Sequence, residues 1–267
     1  MDSPLALHPA TANWRLAWPR AAEVAQAAGF GAVVLARDQP IPAALPIASP
    51  LPAHAMLLAA EPRKDEATFL ATLPRLRSQA AFAAALGCTV APLGLPPSSE
   101  LPRTERASVL RKRLRICQEI LDEFGIRLAL EPVTPMHLRT QHPYAFIFRA
   151  PEMLDFALSV SPRCGLAIDS WHWHHGGADP RELEELPPGA VLDVHISDSP
   201  DLPPERIRDL ERAAPGEGII DFRTFFGALP YQGPLTLELF GTRLNGMDAE
   251  ASVFEAARTA RAMLTGL

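Results

Sequence analysis

Long apolar runs, an excess of positive charge and paired cysteines are all missing from this sequence. No stretch approaches about 18 apolar residues, so no membrane-spanning helix is expected. The opening residues, MDSPLALHPAT, lack a basic segment followed by a long apolar one, so no signal peptide is expected. Net charge is −6, which argues against a nucleic-acid partner. The three cysteines, Cys88, Cys117 and Cys164, are scattered and odd in number, which fits a reduced cytoplasmic protein better than a disulfide framework. No short-period repeat is present. No G-x-G-x-x-G or P-loop glycine pattern stands at a strand-to-helix turn, so a doubly wound open sheet finds no support.

What is present is enough apolar material for one large core. The chain has 267 residues and is 48% hydrophobic, close to the roughly 250 residues of a single (β/α)8 barrel. Short apolar segments predict strands over 5–8, 31–36, 54–60, 89–93, 127–131, 164–169, 191–196 and 234–239. Helices are expected over 18–28, 66–86, 104–124, 151–160, 180–186, 222–228 and 249–264. In the second of these, Phe69, Leu73, Leu76, Ala80 and Ala83 step by four and three, the spacing of one buried face. In the third, Leu110, Leu114, Cys117, Leu121 and Phe124 do the same, and the basic run 111–115 reads as a solvated face. Residues 37–52 hold five prolines, a density no ordinary helix survives, so the helix after strand two is expected to be missing or degenerate. Continuous rather than alternating apolar runs point to buried parallel strands. Eight of them alternating with helices predict an α/β fold, one closed barrel in a single domain spanning residues 1–267.

Four successive expected strands end in polar residues: Glu131, Asp169, His195 and Glu238. Barrel closure brings adjacent strand ends to one mouth, where barrel enzymes place their chemistry. Three carboxylates crowded there repel and raise one another's pKa, a penalty that a divalent cation removes. Three oxygen ligands and one imidazole suit Mn²⁺ first, with Mg²⁺, Co²⁺ or Zn²⁺ as alternatives. Each residue also has a plain reading. Glu131 precedes a proline and can be a loop acid; Asp169 can cap a helix; His195 can be a core histidine bonded to a carbonyl. Glu238, between Leu237 and Leu239, fits a solvated surface poorly. Asp193, two residues before His195, points inward by strand periodicity and can either support that ring or be a buried acid bonded elsewhere. Arg37 ends strand two within reach of the mouth, Asp198 reads as ordering its loop, and Trp171 and Trp173 read as packing over the rim.

LALEP at 128–132, AIDSWH at 167–172, VHISD at 194–198, Arg212 with PGEGIID at 215–221, and LTLELFG at 235–241 together resemble the xylose-isomerase-like TIM barrel superfamily, in particular its sugar phosphate isomerase/epimerase branch. The resemblance implies one divalent metal ion held by Glu131, Asp169, His195 and Glu238. It implies that His172 and Arg212 contact substrate oxygens, and that Glu131 and Glu238 also move protons. The implied activity is a metal-dependent sugar isomerase or epimerase, shifting a proton alpha to a ketose carbonyl through an enediolate. The substrate would be a small sugar or cyclitol. Within the family, a lyase of the inosose dehydratase kind or a subunit for keto-sugar deglycosylation is the alternative. Outside enzymes, it is a non-catalytic carbohydrate-binding barrel. Strands three and four do not end in histidines, which sets the chain apart from the trinuclear-zinc endonuclease branch. The sequence leaves the substrate and the oligomer open, a homo-oligomer included.

Overall fold

The computed structural model describes residues 3–43, 48–240 and 246–267. Eight parallel strands close a barrel in the order β1-β8-β7-β6-β5-β4-β3-β2. They are β1 Leu5–Leu7, β2 Ala32–Leu35, β3 Ala53–Met56, β4 Val90–Leu95, β5 Arg127–Pro132, β6 Gly165–Asp169, β7 Val191–Ile196 and β8 Leu235–Leu237. Nearly every strand residue is buried, as expected of strands with the barrel core on one side and helices on the other. Among the described residues no helix is long and apolar enough to cross a membrane, and the three cysteines are buried and unpaired.

The outer layer holds α1 Arg20–Ala27, α2 Glu66–Ala85, α3 Arg103–Asp122, α4 Ala150–Val160, α5 Ser170–His175, α6 Phe222–Ala228 and α7 Ala249–Thr265, with single turns at Met136–Arg139 and Arg181–Glu184. Local chemistry sets their ends. Asp65, Asp221 and Asp248 accept backbone N–H bonds at the first turns of α2, α6 and α7. Gly87, at φ +86°, turns the chain out of α2 in a backbone conformation that other residues resist. The expected faces of α2 and α3 are buried, with Phe69, Leu76, Leu110, Leu114, Cys117 and Leu121 all fully enclosed.

Among the described residues between β2 and β3 there is no helix. Pro46, one of the five prolines, lies outside the described residues, as does Gly241 of the LTLELFG segment. Where a helix would pack, Trp18 is buried edge-on against Phe82, and the Gln39 amide holds the Trp18 backbone through bonds of 3.0 and 3.2 Å. The sequence reading needs two corrections. Arg113 is not part of a solvated face: it is buried, pairs with Glu66 at 2.7 Å and donates to the Pro62 and Lys64 carbonyls, tying α3 to the loop before α2. Residues 170–175 form a short helix that no apolar periodicity announces; its start is set by the Asp169 cap.

Candidate active site

Strand register places the four polar strand ends. Asp169 on β6 lies level with His195 on β7. The Glu238 N–H donates to the Ile196 carbonyl, which carries Glu238 one residue past β8 beside His195. Glu131 on β5 lies level with Gly94 on β4. A Cβ at Gly94 would sit 3.0 Å from Glu131 Oε2, so the missing side chain gives that carboxylate its place. As a result one ligand atom from each of Glu131, Asp169, His195 and Glu238 lies within 4.8 Å of the others, and all four residues are buried or nearly so.

Asp169 divides its two oxygens between a helix cap and the cluster. Oδ1 caps α5, accepting from the N–H groups of Trp171 (2.6 Å) and His172 (3.2 Å). Oδ2 faces the cluster and accepts from Arg212 Nη1 at 2.7 Å. The same nitrogen lies 3.2 Å from Glu238 Oε2, and Nη2 donates to Asp209 Oδ1 at 2.7 Å. The guanidinium is stacked between Trp171 and Phe240, 5.1 and 4.9 Å from the ring centres. Trp171 is therefore a buried packing residue, and Trp173 is another, donating to the Asp179 carbonyl.

His195 Nδ1 points into the cluster, 3.2 Å from Glu238 Oε2 and 3.6 Å from Glu131 Oε1. Its Nε2 bonds Asp193 Oδ2 at 3.0 Å, so Asp193 orients the ring. Asp193 is fully enclosed and also meets His54 Nε2 (3.0 Å) and the Thr236 hydroxyl (2.9 Å). Burial opposes its ionisation, yet the two histidines hold its carboxyl well below the usual range. Burial likewise pushes the Glu131 carboxyl well above its usual range. Glu238 is equally buried, but His8, His195 and Arg212 outweigh that and hold it well below.

His8, just past β1, is a site residue that the sequence reading did not single out. Its Nδ1 accepts from the Ala10 N–H at 3.2 Å, which leaves the proton on Nε2, 3.2 Å from Glu238 Oε1. Burial pushes its pKa down to about 4. The strand-end rule that found the other four applies to it equally. His172 lies on α5 at the cavity wall, with its Nδ1 buried and without a partner. Asp198 accepts bonds from the Gly216, Gly218 and Ile220 N–H groups and orders its loop. The cavity above the cluster has a volume of about 360 Å³, with Leu57, Leu58, Pro92 and Leu93 on its apolar side. Arg37 reaches it, as does Arg63, a second residue that the sequence reading passed over.

The residues fit a divalent cation on their own chemistry. Three carboxylates and one imidazole converge, and Glu131 Oε1 is a buried oxygen with no hydrogen-bond donor.

A model of the family described as xylose isomerase-like TIM barrel matches residues 22–263. The inosose isomerase of Bacillus licheniformis is 26% identical over 145 residues, 53% of this chain and 50% of that protein. The chain thus spans about half the length of the curated relatives it matches. A xylose isomerase domain protein from Alicyclobacillus acidocaldarius subsp. acidocaldarius superposes with a TM-score of 0.83 at 25% identity, covering 98% of each chain. A structure described as IolI protein with a bound zinc atom superposes with a TM-score of 0.78 at 19% identity, again over 98% of each chain.

Proposed function

We infer the function from one premise: the chain belongs to the xylose isomerase-like TIM barrel family. Our reading is a divalent-metal-dependent isomerase or epimerase acting on a small sugar or cyclitol that carries a carbonyl. The observation that carries it is the convergence of Glu131, Asp169, His195 and Glu238 within 4.8 Å. The name of the inosose isomerase relative and the zinc in the IolI structure support it.

Those four residues would hold the ion. When bound, it acts as a Lewis acid and lowers the pKa of the carbon-bound proton next to the substrate carbonyl. The chain's own groups do the rest. Asp193 fixes the His195 ring so that Nδ1 faces the cluster. Glu238 takes the proton from the carbon alpha to the carbonyl, with its Oε1 oriented by the His8 Nε2–H. Glu131, reaching the cavity from β5, returns a proton from the other side. Return to the opposite face of the same carbon is epimerisation, and return to the neighbouring carbon is isomerisation. Arg212 and His172 stabilise the oxyanion that develops between the two transfers.

The test is proton exchange. Metal-supplemented enzyme is incubated in D₂O with a panel of ketoses and inososes, and deuterium at the carbon beside the carbonyl is followed by NMR. Exchange with at least one compound is expected. No exchange and no product with any of them, in enzyme shown to bind metal, would overturn the reading in favour of a binding protein. Loss of water from the substrate would replace it with a lyase.

A further inference from the structure

The cavity has two poles. Across the barrel from β6 and β7, which carry Asp169 and His195, the chain leaves β2 and β3 and brings Arg37 and Arg63 to the cavity wall. Arg37 pairs with Glu61. Arg63 lies 4.0 Å from that same carboxylate and spends one donor on the Gly94 carbonyl, at 2.8 Å. Two guanidiniums therefore share one carboxylate. Asp38 is exposed beside Arg37, and Asp65 is committed to capping α2. Lys64 and Arg106 line the groove just outside Arg63, opposite Asp65 and a Glu100 that pairs with His142. The acidic pole differs: there Arg212 and His195 are each already bonded to carboxylates. A neutral sugar lying across the cavity would offer the rest of the Arg63 fork only hydroxyl oxygens, which accept a hydrogen bond but bring no counter-charge.

We propose that the substrate of this site carries a carboxylate, bound by Arg63 while its carbonyl end faces Glu131, Asp169, His195 and Glu238. The proposal rests on reading the cavity as the substrate site and adds the class of substrate. A planar carboxylate matches a guanidinium fork in shape and single charge. A phosphate dianion would call for a second free guanidinium on the cavity wall, where Arg37 is engaged by Glu61; Arg106 lines the outer groove and not the cavity. A cavity of about 360 Å³ has room for a small acidic sugar or cyclitol.

The test compares three non-reacting probes by calorimetry on the purified full chain, with and without Mn²⁺: D-gluconate, D-glucitol and D-glucitol 6-phosphate. Gluconate is expected to bind at least about tenfold tighter than glucitol, the low end for a hydrogen bond to a charged group. In Arg63→Gln the ratio of gluconate to glucitol affinity should fall below about twofold. Glu61→Gln, which releases the guanidiniums from their shared carboxylate, should tighten gluconate binding and keeps the test open if Arg63→Gln fails to fold. Equal binding of gluconate and glucitol, or a preference that survives Arg63→Gln, would overturn the proposal. Tighter binding of the phosphate than of gluconate would overturn the carboxylate assignment. The readout needs neither turnover nor metal. An Arg63-dependent preference without exchange of any ketose would count against the isomerase reading and not against this one.

Discussion

The two halves of the barrel use their strand ends differently. β5 and β6 carry Glu131 and Asp169, β7 carries His195, and Glu238 follows β8 directly. β2, β3 and β4 end in Leu35, Met56 and Leu95, and the cavity wall on that side is built from Leu57, Leu58, Pro92 and Leu93. The cations on that side, Arg37 and Arg63, stand in loops beyond the strands and are held by one carboxylate and one carbonyl. The difference separates two tasks. The four groups that would hold the ion sit on or directly beside hydrogen-bonded strands, whose register fixes them, while Arg212 reaches them from the loop after β7. Groups that select a substrate sit on connections, which can change without disturbing the register.

The sharpest way to break this division is to neutralise one member of the strand-end cluster. Glu238→Gln should lower turnover by about 100- to 10,000-fold while leaving the melting temperature within a few degrees. Near-normal activity in that variant would remove Glu238 from proton transfer. Asp193→Asn attacks the same half from beneath. It unbalances a fully enclosed carboxylate between His195 and His54, and should weaken metal affinity by about 10- to 100-fold in a titration.

Gly94→Ala tests whether the apolar half also shapes the cluster. The added methyl would crowd Glu131 Oε2, so activity should fall by about tenfold with a stability cost of about 1–3 kcal/mol. An unchanged rate would mean that Glu131 has room to shift. The smallest effect is expected at His175, outside the cluster. Burial, with His174, His172 and Arg212 nearby, pushes its pKa down to about 3 from an ordinary 6.5. Below pH 6.5 the unfolded chain takes up a proton that the folded chain refuses. Stability should therefore be lost as pH falls from 6.5 toward 3, and His175→Gln should flatten that slope in urea melts at pH 7.5 and 5.

The division also explains what the sequence made legible. A charge at the end of an apolar run stands out, so Glu131, Asp169, His195 and Glu238 were readable before any fold was known, and the inward alternation along β7 exposed Asp193. His8 obeys the same rule, at the end of the strand expected over 5–8, but it lies more than 120 residues before Glu131 and outside the run of four successive strands that drew notice. Arg63 and Asp209 reach the cavity from loops, whose return path no spacing encodes. Arg113 was misread because a run of basic residues does not reveal that one of them meets Glu66 on another helix. Asp169 shows that capping a helix does not exclude a carboxylate from a cluster, because it has a second oxygen to assign.

The central claim is that four strand ends converge to hold one ion, and metal content tests it most directly. Elemental analysis of the purified protein, beside Asp169→Ala and His195→Ala, should find about one divalent ion per chain in the parent and a loss in both variants. If the parent takes up no ion and gains no thermal stability when Mn²⁺, Co²⁺, Mg²⁺ or Zn²⁺ is added, the barrel stands and the metal mechanism does not.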